Sequence, residues 1–163
     1  MRPAFAQIYR LLKGNSFCLS FYGLPKADVF ISAWRAAGFR IAEHMVFKKQ
    51  HASSVRFLRY HHEPPYLLAK GDPPRPACPL PDVLDWIYTG NRLHPTQKPV
   101  EVLKPVIRSF SRVGGVILDP FCGSGSTLVA AHETARNYIG MEIDKTYHAI
   151  ACQRLNHWPA AAA

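Results

Sequence analysis

A chain of 163 residues, 48% hydrophobic and 19% charged, has room for one ordinary domain and a globular composition, which excludes a disordered or fibrous protein. Twenty Lys and Arg against eleven Asp and Glu give a formal net charge of +9, most of it carried before position 82, where twelve basic residues face four acidic ones. No apolar run approaches the ~20 residues of a membrane span, the start MRPAFAQIYRLLKG lacks the pattern of a signal peptide, and four scattered cysteines (Cys18, Cys78, Cys122, Cys152) without a CxxC pair argue against a disulfide framework or a metal site.

A cytoplasmic protein is the resulting expectation. Residues 3–13 predict a helix, with Phe5, Ile8, Tyr9 and Leu12 at helical spacing. Phe17 to Tyr22 is a short apolar run of buried-strand type. Pro25 opens a second helix and Gly38 closes it, and Phe39 to Phe47 reads as another strand. Residues 48–92 change character: they hold Lys48, Lys49, Arg56, Arg59, Lys70 and Arg75, with seven of the fourteen prolines, so long helices are forbidden there. Strand and helix then alternate: helix 99–111, strand 115–119, helix 126–136, strand 138–142 and helix 145–156. Strands separated by ten-residue helices predict parallel βαβ units, hence an α/β fold with an irregular insert, and residues 159–163 read as a frayed tail.

The basic half suggests a polyanion, with nucleic acid the first candidate and a solubilising surface charge the alternative. The sharper signal is VILDPFCGSGSTL at 116–128, an apolar strand that ends in Asp119 and turns through small residues directly into a helix. Ligands of open parallel sheets sit at such strand ends, Gly123 and Gly125 allow close approach of a ligand, and the helix start favours a carboxylate or phosphate. No lysine precedes Ser126-Thr127, so the loop is not a phosphate-binding P-loop. The next strand, YIGMEID at 138–144, ends in Glu142, placed to accept both hydroxyls of a ribose; a surface acid at a strand end is the alternative reading.

DPFCGSGST, IGMEID and the segment LHPTQKP at 93–99 together resemble the amino-directed DNA methyltransferases, which move a methyl group from S-adenosylmethionine to the exocyclic nitrogen of adenine or cytosine. The motif order resembles the β-type arrangement over residues 2 to 155. The resemblance implies a Rossmann-like methyltransferase fold divided into 1–47, a remnant of the catalytic half; 48–92, a target-recognition insert; 93–158, the S-adenosylmethionine-binding half; and a tail at 159–163. It assigns Asp119, Pro120, Phe121, Gly123, Ser124, Gly125, Ser126 and Thr127 to the methionine end of the cofactor, Glu142 to the ribose, and His94, Thr96 and Lys98 to the segment beside the methionyl group. Lys98 is a candidate partner for the cofactor carboxylate, a solvent-facing lysine at a helix start being the other reading. Lys48, Lys49, Arg56, Arg59, Lys70 and Arg75 would position phosphates of double-stranded DNA, and base flipping is implied, because the amine must reach the methyl group.

The family's chemistry rests on [Asp/Asn/Ser]-Pro-Pro-[Tyr/Phe/Trp] at a strand end, where a side chain and a backbone carbonyl accept hydrogen bonds from the target amine and the ring stacks on the base. Only Glu63-Pro64-Pro65-Tyr66 comes close, with Glu in the acidic place and no apolar strand before it; Asp72-Pro73-Pro74-Arg75 lacks the aromatic. The chain is therefore expected to lack the amino-terminal catalytic segment and a central strand, and to depend on a complementing chain or a homodimer. The expected function is site-specific DNA methylation in a restriction-modification or phage setting, adenine N6 ahead of cytosine N4. The alternative is a split or decayed module that binds cofactor or DNA without methylating alone. A C5-cytosine methyltransferase is excluded, since none of the four cysteines follows a proline.

Overall fold

The computed structural model describes residues 1–52, 57–88 and 90–156, and the chain divides into two compact units, 1–86 and 87–163. Arg56 and the 159–163 tail lie outside the described residues.

The first unit opens with α1 (Arg2–Leu11), β1 (Ser16–Ser20), a 3-10 turn (Leu24–Lys26) and α2 (Ala27–Ala37). Phe5 of α1 meets Trp34 of α2 edge-on, ring centroids 6.1 Å apart, and both are buried with Ala33, Phe39 and Leu68 in one apolar core. β2 (Arg40–His44), β3 (Val46–Lys49), β4 (His62–Glu63), β5 (Tyr66–Lys70) and β6 (Val83–Trp86) complete the unit. The single strand expected over 39–47 is two strands. They break at buried Met45, whose N–H bonds the Pro65 carbonyl at 3.0 Å, and after the break the chain enters a second sheet of order β4-β3-β6.

The first sheet runs β1-β5-β2. β5 is antiparallel to both neighbours, so β1 and β2 are parallel to each other, as a βαβ unit requires, but β5 separates them. Residues 66–70, assigned from sequence to the insert, thus form the centre of this sheet. The cause is composition: Leu67, Leu68 and Ala69 are all buried, the continuous apolar run of a strand covered on both faces.

The second unit carries α3 (Val100–Phe110), β7 (Val116–Asp119), α4 (Ser126–Glu133), β8 (Asn137–Gly140) and α5 (Lys145–Asn156). β7 and β8 pair in parallel, Val116 opposite Asn137 through Asp119 opposite Gly140, as the alternation of strand and helix predicts. Leu103 and Ile107 of α3 pack on Ala130 and Ala131 of α4, with Ile117 and Tyr138 from the strands against them. Small residues on α4 let the helices approach closely, and this layer sets the height at which the 119–126 loop leaves the sheet. α4 stops at Glu133, three residues short of the expected end, where Ala135 turns left-handed at φ +58° and the Arg136 N–H closes back on the Ala131 carbonyl at 2.8 Å. Among the described residues no helix is long and apolar enough to cross a membrane, and none of the His, Cys, Asp and Glu side chains form a group able to hold a metal ion.

Candidate functional site

The loop between β7 and α4 is built from its own backbone. Asp119 ends the strand and its carboxylate accepts the N–H of Phe121 at 3.0 Å, a short turn that directs the chain out of the sheet. Cys122 donates its N–H to the Met141 carbonyl and Met141 to that of Asp119, both at 3.0 Å, which ties the loop to the end of β8. Gly125 then donates to Cys122 at 2.8 Å and receives Val129 at 3.0 Å, the first bond of α4. Gly123 and Gly125 have φ of +52° and +82°, a region costly for other residues. A Cβ on Gly123 would lie 3.3 Å from the His94 ring, and one on Gly125 3.0 Å from Cβ of Ala151. The loop therefore has neighbours on both sides, His94 on one and α5 on the other.

Glu142 follows β8. Its Oε2 accepts the N–H of Gly123 at 2.8 Å and its Oε1 that of Asp144 at 2.9 Å. Each oxygen so held retains acceptor capacity, and the two backbone donors fix where it is directed. Pro120, Phe121, Met141, Glu142 and Ile143 line an open cavity of about 360 Å³. Ile143 is fully exposed and Phe121 two-thirds exposed, which is unusual for large apolar side chains so close together and suits an apolar ligand. A fixed carboxylate between apolar walls can receive a flat, weakly polar ring system carrying vicinal hydroxyls.

Charge in this corner is one-sided. Burial raises the Asp119 pKa above the usual carboxylate value; a hydrogen bond from the Thr127 hydroxyl and the Phe121 N–H oppose the rise, and Glu142 adds to it. Burial, with Asp119 and Glu142 nearby, pushes the Cys122 thiol up to about 11. Cys122 is thus a neutral packing group at ordinary pH and no nucleophile.

The 91–98 segment folds on itself. Thr96 donates its N–H to Nδ1 of His94 at 3.1 Å, which leaves the ring proton on Nε2. Gln97 donates to the His94 carbonyl at 3.0 Å and accepts the Leu93 N–H at 3.2 Å. The His94 ring meets Tyr147 of α5 edge-on at 4.2 Å between centroids, so the segment covers Gly123 and braces α5 together. Lys98 is half-buried just before α3, and Thr96 is exposed.

The Glu63 to Tyr66 segment, the one near-match to the catalytic motif, has a different setting. Glu63 forms an ion pair with Lys49, the Pro65 carbonyl accepts Met45, and the Tyr66 ring lies among His44, Trp34 and Tyr22 at 4.5, 5.3 and 5.4 Å. Glu63 and the Pro65 carbonyl thus each have an internal partner, and Tyr66 packs against the first unit's aromatic core. Among the basic residues of the insert, Lys49 pairs with Glu63 and sits 5.1 Å over the Trp86 ring. Lys70 donates to the Tyr9 and Leu12 carbonyls at 2.6 Å each, closing the end of α1. Lys48, Arg59 and Arg75 are exposed.

Tyr147 and Arg154 belong to the loop's surroundings and were not among the residues singled out from sequence. Arg154 reaches the Ser124 carbonyl at 2.7 Å. Their signal is the spacing 147, 151, 154, one face of a helix, and all three touch the 94 or 123–126 segments.

A family model described as DNA methylase, for N6 and N4 methyltransferases, matches residues 1–153. YubD of Escherichia coli strain K12, designated a methylase, is 49% identical over 155 residues, covering 95% of this chain and 68% of its own length. The type II methyltransferase M2.LlaDCHI of Lactococcus lactis subsp. cremoris is 46% identical over 63 residues, 39% of this chain and 23% of that protein. The crystal structure of the M1.HpyAVI–SAM complex superposes with a TM-score of 0.81 at 23% identity, over 94% of this chain and 82% of the other, which shows a shared Rossmann-like methyltransferase fold.

Proposed function

Since the chain belongs to the N6/N4 DNA methylase family, we propose that its second unit binds S-adenosylmethionine and that the chain serves methyl transfer to an exocyclic amine of double-stranded DNA. The observation that carries the reading is Glu142, held by two backbone N–H groups beside an apolar cavity of about 360 Å³. The residues fit the cofactor: two left-handed glycines where a Cβ would collide with His94 or Ala151, a carboxylate able to take ribose hydroxyls, and exposed Phe121 and Ile143 for the purine.

When bound, S-adenosylmethionine supplies an electrophilic methyl group on sulfonium. The work of this chain's residues is to bind and orient. Glu142 would accept hydrogen bonds from the ribose hydroxyls through lone pairs its backbone donors leave open. Asp119 braces the 119–121 turn through its bond to the Phe121 N–H. The start of α4, with Ser126 and Thr127, offers backbone N–H groups to a carboxylate. His94 covers Gly123, and Lys98 is the proposed partner of the cofactor carboxylate. Lys48, Arg59 and Arg75 are assigned to DNA phosphates; Lys49 and Lys70, with their internal partners, are assigned to the first unit's own stability.

A second reading, binding without transfer by this chain alone, is favoured by the setting of Tyr66, whose ring packs among His44, Trp34 and Tyr22 instead of offering an open face to a base. In it the amine-directing acceptors come from a complementing chain or a second copy. Calorimetric titration with S-adenosylmethionine tests the cofactor site, and incubation with radiolabelled cofactor and unmethylated duplex, followed by nucleoside analysis, tests transfer. N6-methyladenine supports the first reading in its preferred form and N4-methylcytosine in its other form. Binding without either product supports the second, and a chain that binds neither S-adenosylmethionine nor the duplex refutes both. A cytoplasmic setting goes with this function.

A further inference from the structure

Resting on the assignment of the second unit to S-adenosylmethionine, we propose that Arg154 is a positioning residue for the cofactor site, holding the glycine loop in the shape that presents Glu142. Its Nη1 donates to the Ser124 carbonyl at 2.7 Å and lies 3.3 Å from Oγ of Ser126 and 3.5 Å from Oγ of Ser124. These acceptors straddle Gly125, whose φ of +82° is a left-handed conformation in which the direction of the 124–125 peptide has to be held by its partners. With the Ser124 carbonyl anchored, Gly125 keeps its bond to Cys122, and Gly123 keeps the N–H that orients Oε2 of Glu142. The line from α5 to the ribose acceptor thus runs through two peptide units, 124–125 and 122–123, joined by the Gly125 to Cys122 bond.

The placement is otherwise costly. A guanidinium partly withdrawn from water stands beside the N-terminus of α4, where the helix dipole disfavours a cation. Burial works against its charge, and Glu133 alone acts in the opposite sense. Ala151, one turn earlier on the same face, already packs against Gly125, so contact between α5 and the loop does not require a charge. All three contacts are made by one nitrogen, Nη1, so a lysine at 154 could replace them only in part, as far as its shorter-headed side chain reaches the same point.

The test compares Arg154→Met, Arg154→Lys and Arg136→Met in the full chain, measuring the Kd for S-adenosylmethionine by calorimetry and Tm by scanning calorimetry. Arg136 is the control because it is a second buried guanidinium of the same unit, bonded to Ser111 and Thr134 and not to the loop. Arg154→Met is expected to weaken cofactor binding about tenfold or more, the scale of one lost charged hydrogen bond, with Arg154→Lys recovering part of it. Arg136→Met is expected to lower Tm with Kd within twofold of the parent. Where Arg154→Met does not fold, Arg154→Lys and Ser126→Ala must each still raise Kd, or the proposal fails. A folded Arg154→Met that binds like the parent overturns the role of Arg154 and leaves the cofactor site standing. A parent chain that does not bind S-adenosylmethionine overturns the site itself.

Discussion

Replacing Glu142 with glutamine tests the site at its most informative atom pair. The carboxylate accepts Gly123 N–H at 2.8 Å on one oxygen and Asp144 N–H at 2.9 Å on the other. An amide has one acceptor oxygen, so whichever way the side chain turns, its NH2 group faces a backbone donor. One charge-assisted bond is lost and the other becomes neutral. Hydrogen bonds to charged groups contribute about 1.5–3 kcal/mol, and partial exposure of Glu142 places the loss at the lower end, about 1.5 kcal/mol. For a chain of this size that corresponds to a fall in Tm of roughly 3–6 °C. The bound ribose loses an anionic acceptor at the same time, for an expected further loss of about tenfold in affinity. Calorimetric titration with S-adenosylmethionine, beside a thermal melt of the same preparation, reads both quantities. A folded Glu142→Gln chain whose Kd stays within twofold of the parent would falsify the assignment of Glu142 to the ribose.

Gly125→Ala introduces a left-handed alanine whose Cβ lies 3.0 Å from that of Ala151, and denaturant unfolding should show a loss of about 2 kcal/mol; adding Ala151→Gly should return the crowding part only. Lys70→Met removes two bonds to α1 carbonyls and is expected to lower stability by about 2 kcal/mol in urea while leaving the salt dependence of DNA binding unchanged. Lys48→Ala, Arg59→Ala and Arg75→Ala should each do the reverse, reducing the slope of log K against log salt by about 0.9; an unchanged slope in all three refutes the phosphate assignment. For Cys122 the folded thiol sits near 11 against an ordinary value of 9, so the unfolded state releases its proton first. Its contribution to stability is intact below pH 9 and declines as pH rises to 11. Cys122→Ala should flatten that interval relative to the parent, and equal slopes would remove the thiol from the account.

Elements with strong local signals were readable in advance. The helix over 145–156 and the turn from Asp119 into α4 agree with the sequence reading, because helical spacing and a glycine loop are local properties. The strand over 39–47 misled, since its break at Met45 depends on a bond to Pro65, twenty residues away. Tyr66 to Ala69 is an apolar run suited to a strand, but composition does not say which sheet it joins. Its place between β1 and β2 is won by burying Leu67, Leu68 and Ala69 on both faces. Lys49 and Lys70 looked like other basic residues of the insert because charge is visible in sequence and partners are not.

The sequence by itself determined the family, the loop and the acidic strand end that follows it, for these are contiguous runs whose chemistry depends on residue order. Tertiary structure alone decided how the pieces are held. It brought Arg154 to Ser124 across thirty residues, set His94 over Gly123, and gave Glu63 and the Pro65 carbonyl partners within the first unit. A motif specifies which groups are available, whereas the directions in which donors and acceptors point follow from packing, and hydrogen bonding depends on direction.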